Sequence, residues 1–188
     1  MQNESMQSQD RATVGIGKQG GITDGLAPSG VFTVECRDAD GNLKWSDTFK
    51  NLVVTAGRND MLDKYFTGSA YTGTFYMGLV SGSPSPTYAA DNTVASHAGW
   101  TELAAGTAYS TTGTNRITMG WSAASGGSKA STTTVFNIIA TNTVAGAMVT
   151  TTQSGNTGTL YSAGSFSGGS KSVASGDTLN VTYTASLT

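Results

Sequence analysis

The end of the chain carries the pattern that most constrains its fold. From Leu179 to Leu187 apolar residues occupy every second position, while hydroxyl and amide side chains fill the alternate positions from Thr178 to Ser186. Successive side chains of a strand point to opposite faces of a sheet, so this period of two predicts one core face and one polar face. The chain therefore ends in a half-buried β-strand.

Short apolar runs recur along the chain and alternate with turn-forming residues. The predicted strands are Val31–Arg37, Leu43–Lys50, Phe75–Val80, Asn115–Trp121, Thr134–Ile139, Ala145–Thr151, Gly158–Phe166 and the final strand. The composition agrees, because 30 Thr, 22 Ser and 25 Gly among 188 residues favour strands and turns. About eight strands of this kind predict an all-β fold, either a β-sandwich or a jelly roll.

One segment departs from the strand pattern. Between Thr55 and Phe66 the apolar residues fall on one side of a helix, and Gly68 lies where a left-handed helix cap is common. The apolar residues of this segment are Met61, Leu62, Tyr65 and Phe66. We expect one short helix that packs at the end or flank of the sandwich.

The first thirty residues form a separate region. Residues 1–30 are rich in Gln, Asn, Ser and Gly and poor in large apolar side chains, so alone they cannot offset the entropy of ordering. They are either a flexible terminus or, as we favour, an extended arm that orders on a neighbouring subunit. The predicted organisation is therefore an N-terminal arm, 1–30, and a β-sandwich domain, 31–188.

Charge and targeting features narrow the functional classes. The net charge of −2 and the absence of Lys/Arg runs argue against binding nucleic acid. We see neither a secretory signal at the N-terminus nor an apolar stretch near 18 residues, so we expect no membrane span. Cys36, the single cysteine, lies in an alternating apolar stretch and is interpreted as a small buried hydrophobe, consistent with assembly in a reducing cytoplasm.

Catalytic chemistry is sparse. From Leu103 to Thr188 the charged residues are Arg116, Lys129, Lys171 and Asp177. His97, the one histidine, lies in a long loop (81–99) without a nucleophile-elbow motif, so a loop or interface role is favoured over catalysis. Asp91 and Glu102 are the one carboxylate pair that could serve a glycosidase. We therefore predict no enzyme, no catalytic residues and no cofactor.

Metal binding has equally little support. Asp38 to Asn42 resembles the start of a calcium loop, but the twelfth position is Phe49 and not an acid, so a plain hairpin turn is favoured. Cys36 and His97 are too far apart in sequence for a usual zinc site. The remaining carboxylates, Asp47 on the hairpin and Asp60 and Asp63 on the helix, are interpreted as solvated.

The aromatic residues allow two interpretations. They could build a sugar-stacking face, as in an adhesin or fibre tip, or they could serve the fold, with Trp45 and Trp121 in the core and Tyr88 and Trp100 holding the long loop. We favour the second. The residues concerned are Trp45, Tyr71, Tyr76, Tyr88, Trp100 and Trp121.

Five segments of the chain form a recognisable series: Asn51–Leu62, Phe75–Leu79, Ser96–Glu102, Gly158–Tyr161 and Ser175–Leu179. Taken together, they resemble small structural proteins of tailed bacteriophages. The resemblance spans roughly Val31 to Leu187 and implies a virion component without catalysis, commonly a trimer. It supplies no catalytic residues and does not include the arm.

We therefore expect a head decoration (cement) protein. It would be assembled in the host cytoplasm and would bind the major capsid protein on the exterior of the phage head. It would associate with itself as a homotrimer and tie capsid subunits together through the arm. The alternative is a tail-fibre, neck or receptor-binding module that uses the 81–100 loop.

Overall fold

A computed structural model describes residues 27–68 and 73–187, and within these ranges the chain forms eleven strands and one helix. The strands are β1 (Pro28–Arg37), β2 (Leu43–Lys50), β3 (Leu52–Val53), β4 (Tyr76–Ser81), β5 (Ile117–Thr118), β6 (Ser128–Ala130), β7 (Thr134–Asn137), β8 (Asn142–Thr150), β9 (Leu160–Ser165), β10 (Lys171–Val173) and β11 (Thr178–Leu187). Helix α1 (Thr55–Phe66) lies between β3 and β4. The prediction of an all-β fold with one short helix is confirmed.

The strands form two antiparallel sheets that pack as a β-sandwich. In the five-stranded sheet β1 lies between β2 and β11, and both β6 and β7 pair with the other edge of β11. The six-stranded sheet has the order β3-β9-β8-β4-β5, and β10 pairs with the start of β8. The three strands that the sequence did not predict, β3, β6 and β10, are pieces of two or three residues, which are too short to show a period of two.

Aromatic rings fill the space between the sheets. The Phe32 ring lies 4.7 Å from Tyr183 and 5.1 Å from Phe49. Phe166, just after β9, meets Phe49 at 5.3 Å and so joins the two sheets. Phe32 and Tyr183 are fully buried, as the alternating pattern of their strands predicted.

The first strand begins earlier than predicted. Residues 28–30 belong to β1 and pair with residues 185–187 of β11, so the boundary placed at residue 30 is corrected. Gly30 packs so closely on its neighbours that a Cβ there would lie 2.3 Å from the Tyr183 hydroxyl. Gly30, which the sequence pattern assigned to the arm, is therefore needed for a close contact inside the sandwich. The rest of the predicted arm, 1–26, lies outside the described residues.

The six-stranded sheet is buried on both faces. Its outer face carries a second apolar cluster, in which Val94 and Trp100 from the long loop pack on Val80, Met148 and Leu160 of the strands. The loop therefore covers this face. This explains why the segment containing β4 is apolar on both sides, as expected for a strand inside a sheet.

Candidate functional site

Three large apolar side chains of α1 face solvent. Leu62 is 49% exposed, Tyr65 is 84% exposed and Phe66 is 73% exposed. The two rings meet edge to face, with centroids 5.1 Å apart and an interplanar angle of 84°. We call these three residues the α1 patch. Of the four apolar residues predicted to share one side of the helix, Met61 packs against the core and the other three do not. The expectation that the helix packs on the sandwich through this side is therefore met at Met61 alone.

The opposite side of α1 makes the contact with the sandwich. Gly57 is buried, and a Cβ there would lie 2.5 Å from the Tyr161 carbonyl oxygen. The Tyr161 hydroxyl donates a hydrogen bond of 2.8 Å to the Met61 sulfur, and burial raises the pKa of this hydroxyl. Gly57 and Met61 are four residues apart and share one face. Close approach at Gly57 therefore turns Leu62 and Phe66, which lie on the far side of the helix from it, away from the sheet. Tyr65 follows Met61 by four residues but lies in the last turn of the helix, where it is exposed.

The base of the helix is held by neighbouring segments. The Thr55 amide donates to the Ala90 carbonyl at 2.8 Å, and the Val54 amide donates to the Tyr161 carbonyl at 3.2 Å. Val54 is buried in the apolar cluster beneath the long loop. The α1 patch is thus presented from a fixed base that joins β9 and the loop.

The aromatic residues of the long loop are used internally. Trp100 is 2% exposed, and its indole N–H donates to Asn92 Oδ1 at 2.9 Å. The Tyr88 ring lies 5.8 Å from Trp100, and its hydroxyl is 2.9 Å from Ser165 Oγ. Burial raises the pKa of Tyr88, and the contact with Ser165 opposes this rise. The interpretation that Tyr88 and Trp100 hold the loop is confirmed.

The other predicted core aromatics also contact the core. Trp45 is half-buried with its ring 5.3 Å from Phe166. Trp121 is half-buried and lies 5.8 Å from Phe75. Tyr76, also half-buried, begins β4, and Tyr71 lies outside the described residues. The rings therefore do not form one shared sugar-stacking platform over the described part of the chain.

His97 is a loop residue that stacks on Trp100. The ring centroids are 4.0 Å apart with an interplanar angle of 21°, and His97 Nδ1 lies 2.9 Å from the Trp100 carbonyl oxygen. This geometry agrees with the loop interpretation of His97. A surface cleft of about 320 Å³ lies beside it, lined by loop residues between 87 and 99 that include Asp91 and Asn92.

The two carboxylates proposed as a possible pair do not share this cleft. Asp91 lines the cleft, whereas Glu102 lies over β4, where a Cβ at Gly78 would be 2.6 Å from Glu102 Oε1. Arg116 binds Glu102 through an ion pair of 2.8 Å. The Glu102 carboxylate is therefore occupied by a structural contact.

The Asp38 turn has the geometry of a hairpin turn. Asp38 Oδ1 accepts the backbone N–H groups of Asn42 at 2.8 Å and Asp40 at 3.0 Å. The pKa of Asp38 is lowered by these hydrogen bonds, most of all by the one from the Asn42 backbone N–H. Over residues 27–68 and 73–187, no group of three or more His, Cys, Asp or Glu side chains is placed to hold a metal ion.

A buried ionisable cluster joins residues that are distant in sequence. Asp177 is 4% exposed and accepts hydrogen bonds from Lys44 Nζ at 2.6 Å, from the Ala174 amide at 2.8 Å and from Cys36 Sγ at 3.8 Å. Burial, with the Asp177 charge, raises the pKa of Cys36 to about 11. Cys36 is a buried hydrophobe, as predicted, but no sequence pattern indicated its neighbours.

The outer face of the five-stranded sheet is polar. Thr33, Glu35 and Arg37 on β1 and Asn180 and Thr182 on β11 line a shallow groove on this face. Glu35 and Arg37 form a half-exposed ion pair of 2.8 Å. The face offers hydroxyl, amide and charged groups for polar contacts.

Comparison with known proteins adds no family to this description. No family model matches the chain, and no curated protein matches it in sequence. Within the described ranges, the structure contains no helix with the length and apolar character needed to cross a membrane.

Proposed function

We propose that this protein is a capsid decoration (cement) protein of a tailed bacteriophage that binds the exterior of the head and stabilises the shell. The proposal is supported by the distribution of charged, aromatic and polar side chains between the interior and the surface. The most buried charged groups, Arg116 and Asp177, are paired inside the fold with Glu102 and Lys44. Large aromatic and polar surfaces remain outside, which suits binding more than catalysis.

Stabilisation would follow from selective binding. A protein that binds the assembled shell and not its separate subunits shifts the equilibrium toward the shell. Many copies held on one particle add their weak contacts through multivalency. The polar outer face of the five-stranded sheet would contribute water-bridged contacts to such a surface.

The N-terminal segment would extend the reach of each copy. The 26 residues that precede Ala27 could span at most roughly 90 Å if fully extended. We propose that this segment crosses neighbouring capsid subunits and ties them together. The truncation that removes it ends at residue 26, because Pro28 already belongs to β1.

Binding to heads tests the proposal. Heads that lack decoration proteins are mixed with the full chain or with a chain lacking residues 1–26. The bound copies are counted by gel densitometry against the major capsid protein and located by density reconstruction. We expect hundreds of full-length copies on the exterior and a folded truncated chain that is lost on washing. If the truncated chain also saturates the heads, the role of the arm is wrong. If the full chain does not bind, the decoration proposal is wrong.

A second candidate is a tail-fibre, neck or receptor-binding module. The surface cleft beside Asp91 and Asn92 favours it, because a loop cleft with polar groups could hold part of a glycan. Copy number in intact virions separates the two proposals. Tens of copies at the tail or neck would favour the second, whereas hundreds on the head would favour decoration.

A further inference from the structure

The α1 patch is as large as the largest apolar patch that a typical soluble protein exposes. From the exposed fractions of Leu62, Tyr65 and Phe66, its area is roughly 400 Å², since each aromatic side chain has about 150–250 Å² of surface. Contiguous exposed patches of this size on soluble proteins often serve binding. Leaving two aromatic rings in water brings no benefit to the isolated fold.

The two rings of the patch do not form one flat platform on which a sugar or a base could stack across both. Such ligands stack on the flat face of an aromatic ring, and two nearly coplanar rings extend that platform. Tyr65 and Phe66 are instead perpendicular, at 84°. The patch therefore has the irregular relief that protein side chains fill.

The charges around the patch suit a second copy of the same chain. The solvent-facing side of α1 carries one cation, Arg58, and one anion, Asp63, both exposed. A surface with one charge of each sign meets its own copy without net repulsion, and each charge can face its opposite. A membrane or nucleic acid would instead require an excess of basic residues.

The patch also has the properties of an interface centre. Energetically dominant contact residues are often aromatic and lie at the middle of an interface, surrounded by a polar rim. A standard interface buries about 800 Å² on each partner, so the patch would supply roughly half and the polar residues around it the rest. The fixed base of α1, bound to Ala90 and Tyr161, reduces the entropy lost on binding.

We infer that the α1 patch is a contact surface between copies of this chain. The inference rests on the proposed function in expecting several copies side by side on one particle. It adds the surface through which the copies touch each other before they meet the shell.

Sedimentation of the purified full-length chain tests the inference. The double variant Tyr65→Gln and Phe66→Gln removes the rings and retains good helix formers. The matched control, Val135→Gln and Ile139→Gln, removes two other exposed apolar side chains, which are 42% and 46% exposed. We expect the wild-type chain to self-associate, the first variant to lose affinity about 30-fold or more, and the control to change little. Circular dichroism establishes that each variant is folded.

Other results would overturn the inference. The inference is overturned if the wild-type chain stays monomeric at its highest soluble concentration. It is also overturned if the Tyr65/Phe66 variant and the Val135/Ile139 control associate with equal affinity. Head binding is measured in parallel. A Tyr65/Phe66 variant that still self-associates but no longer binds heads would show that the patch contacts the capsid shell. That result would overturn the inference of contact between copies and leave the decoration proposal intact. If the variant becomes monomeric and the wild-type chain does not bind heads, the inference is supported and the decoration proposal is contradicted.

Discussion

Arg116 and Glu102 connect the long loop to the six-stranded sheet. The Arg116 guanidinium donates three hydrogen bonds of 2.8, 2.8 and 3.0 Å to the Glu102 carboxylate. It donates two more to the carbonyl oxygens of Thr152 at 3.1 Å and Gly155 at 3.0 Å. One side chain therefore joins the end of the loop to the turn between β8 and β9.

Replacing Arg116 with Met should destabilise the fold by about 3 kcal/mol, because it leaves the Glu102 carboxylate and two carbonyl groups without their donor. The free energy of unfolding, measured by urea denaturation, checks this value. The variant Arg116→Lys should lose less stability than Arg116→Met but more than none. An ammonium keeps the charge but cannot reproduce the planar contact of the guanidinium with the Glu102 carboxylate.

The double variant Arg116→Met and Glu102→Leu is the control for this ion pair. It removes both charges, so no carboxylate is left without a partner, and we expect a smaller loss than for Arg116→Met alone. Equal losses in the two variants would show that the carboxylate does not depend on the guanidinium.

Gly57 should tolerate no side chain. Alanine favours a helix by about 1 kcal/mol over glycine, but its Cβ at this position would meet the Tyr161 carbonyl oxygen at 2.5 Å. We expect Gly57→Ala to lower the free energy of unfolding by about 1–3 kcal/mol, as overpacking does. The exposed Asn59→Ala in the same helix is the control and should leave stability equal or slightly higher. An equally stable Gly57→Ala variant would contradict the close packing of helix and sheet.

Asp177 should make stability depend on acid pH. Burial alone would raise its pKa, but the hydrogen bonds from the Ala174 amide and Lys44 outweigh burial and lower the pKa below the ordinary 3.8. A carboxylate with a lowered folded-state pKa contributes stability that is fully present above the unfolded value and is lost as pH falls through the folded value. The relevant window is therefore below about pH 4.

Urea denaturation of Asp177→Asn across pH 7 to 2.5 checks this prediction. At pH 7 the variant should be less stable by about 1–3 kcal/mol, because the Ala174 amide loses its charged acceptor. The difference from wild type should shrink below pH 4, where the wild-type carboxylate becomes protonated. A difference that stays constant over the whole range would contradict the assigned role of Asp177.

Cys36 should be unreactive in the folded protein. It is fully buried, and burial with the Asp177 charge raises its pKa to about 11, so little thiolate exists at pH 8. A thiol-specific reagent should modify it only after unfolding in urea. The control chain, Cys36→Ser with Thr48→Cys on the exposed side of β2, should react at once in the folded state. Rapid reaction of native Cys36 would show that the cluster opens readily.

Local elements could be predicted well from the sequence. Helix α1 has the predicted bounds, Thr55 to Phe66, and Gly68 has the positive φ of 65° that a left-handed cap requires. The final strand begins at Thr178, as its alternation indicated. These features depend on residues close in the chain, so nearest-neighbour sterics and hydrogen bonding determine them.

Contacts between distant residues could not be predicted in the same way. Lys44 and Asp177 are 133 residues apart, and the turn that contains Asp177 gives no sign of a buried ion pair. The apolar residues of the long loop were likewise visible in the sequence, but the sheet face that they cover could not be predicted from it. Pairing of distant residues depends on strand order, which no local pattern specifies.

Helix α1 shows where the two kinds of information divide. The sequence by itself determined that a helix forms and that Met61, Leu62, Tyr65 and Phe66 lie toward one side of it. Only the tertiary structure decided which side is buried, because Gly57 permits a backbone approach to Tyr161, more than a hundred residues away, that a larger side chain would prevent. Burial of a face depends on the position of the surface that covers it, and that position is set by the whole fold.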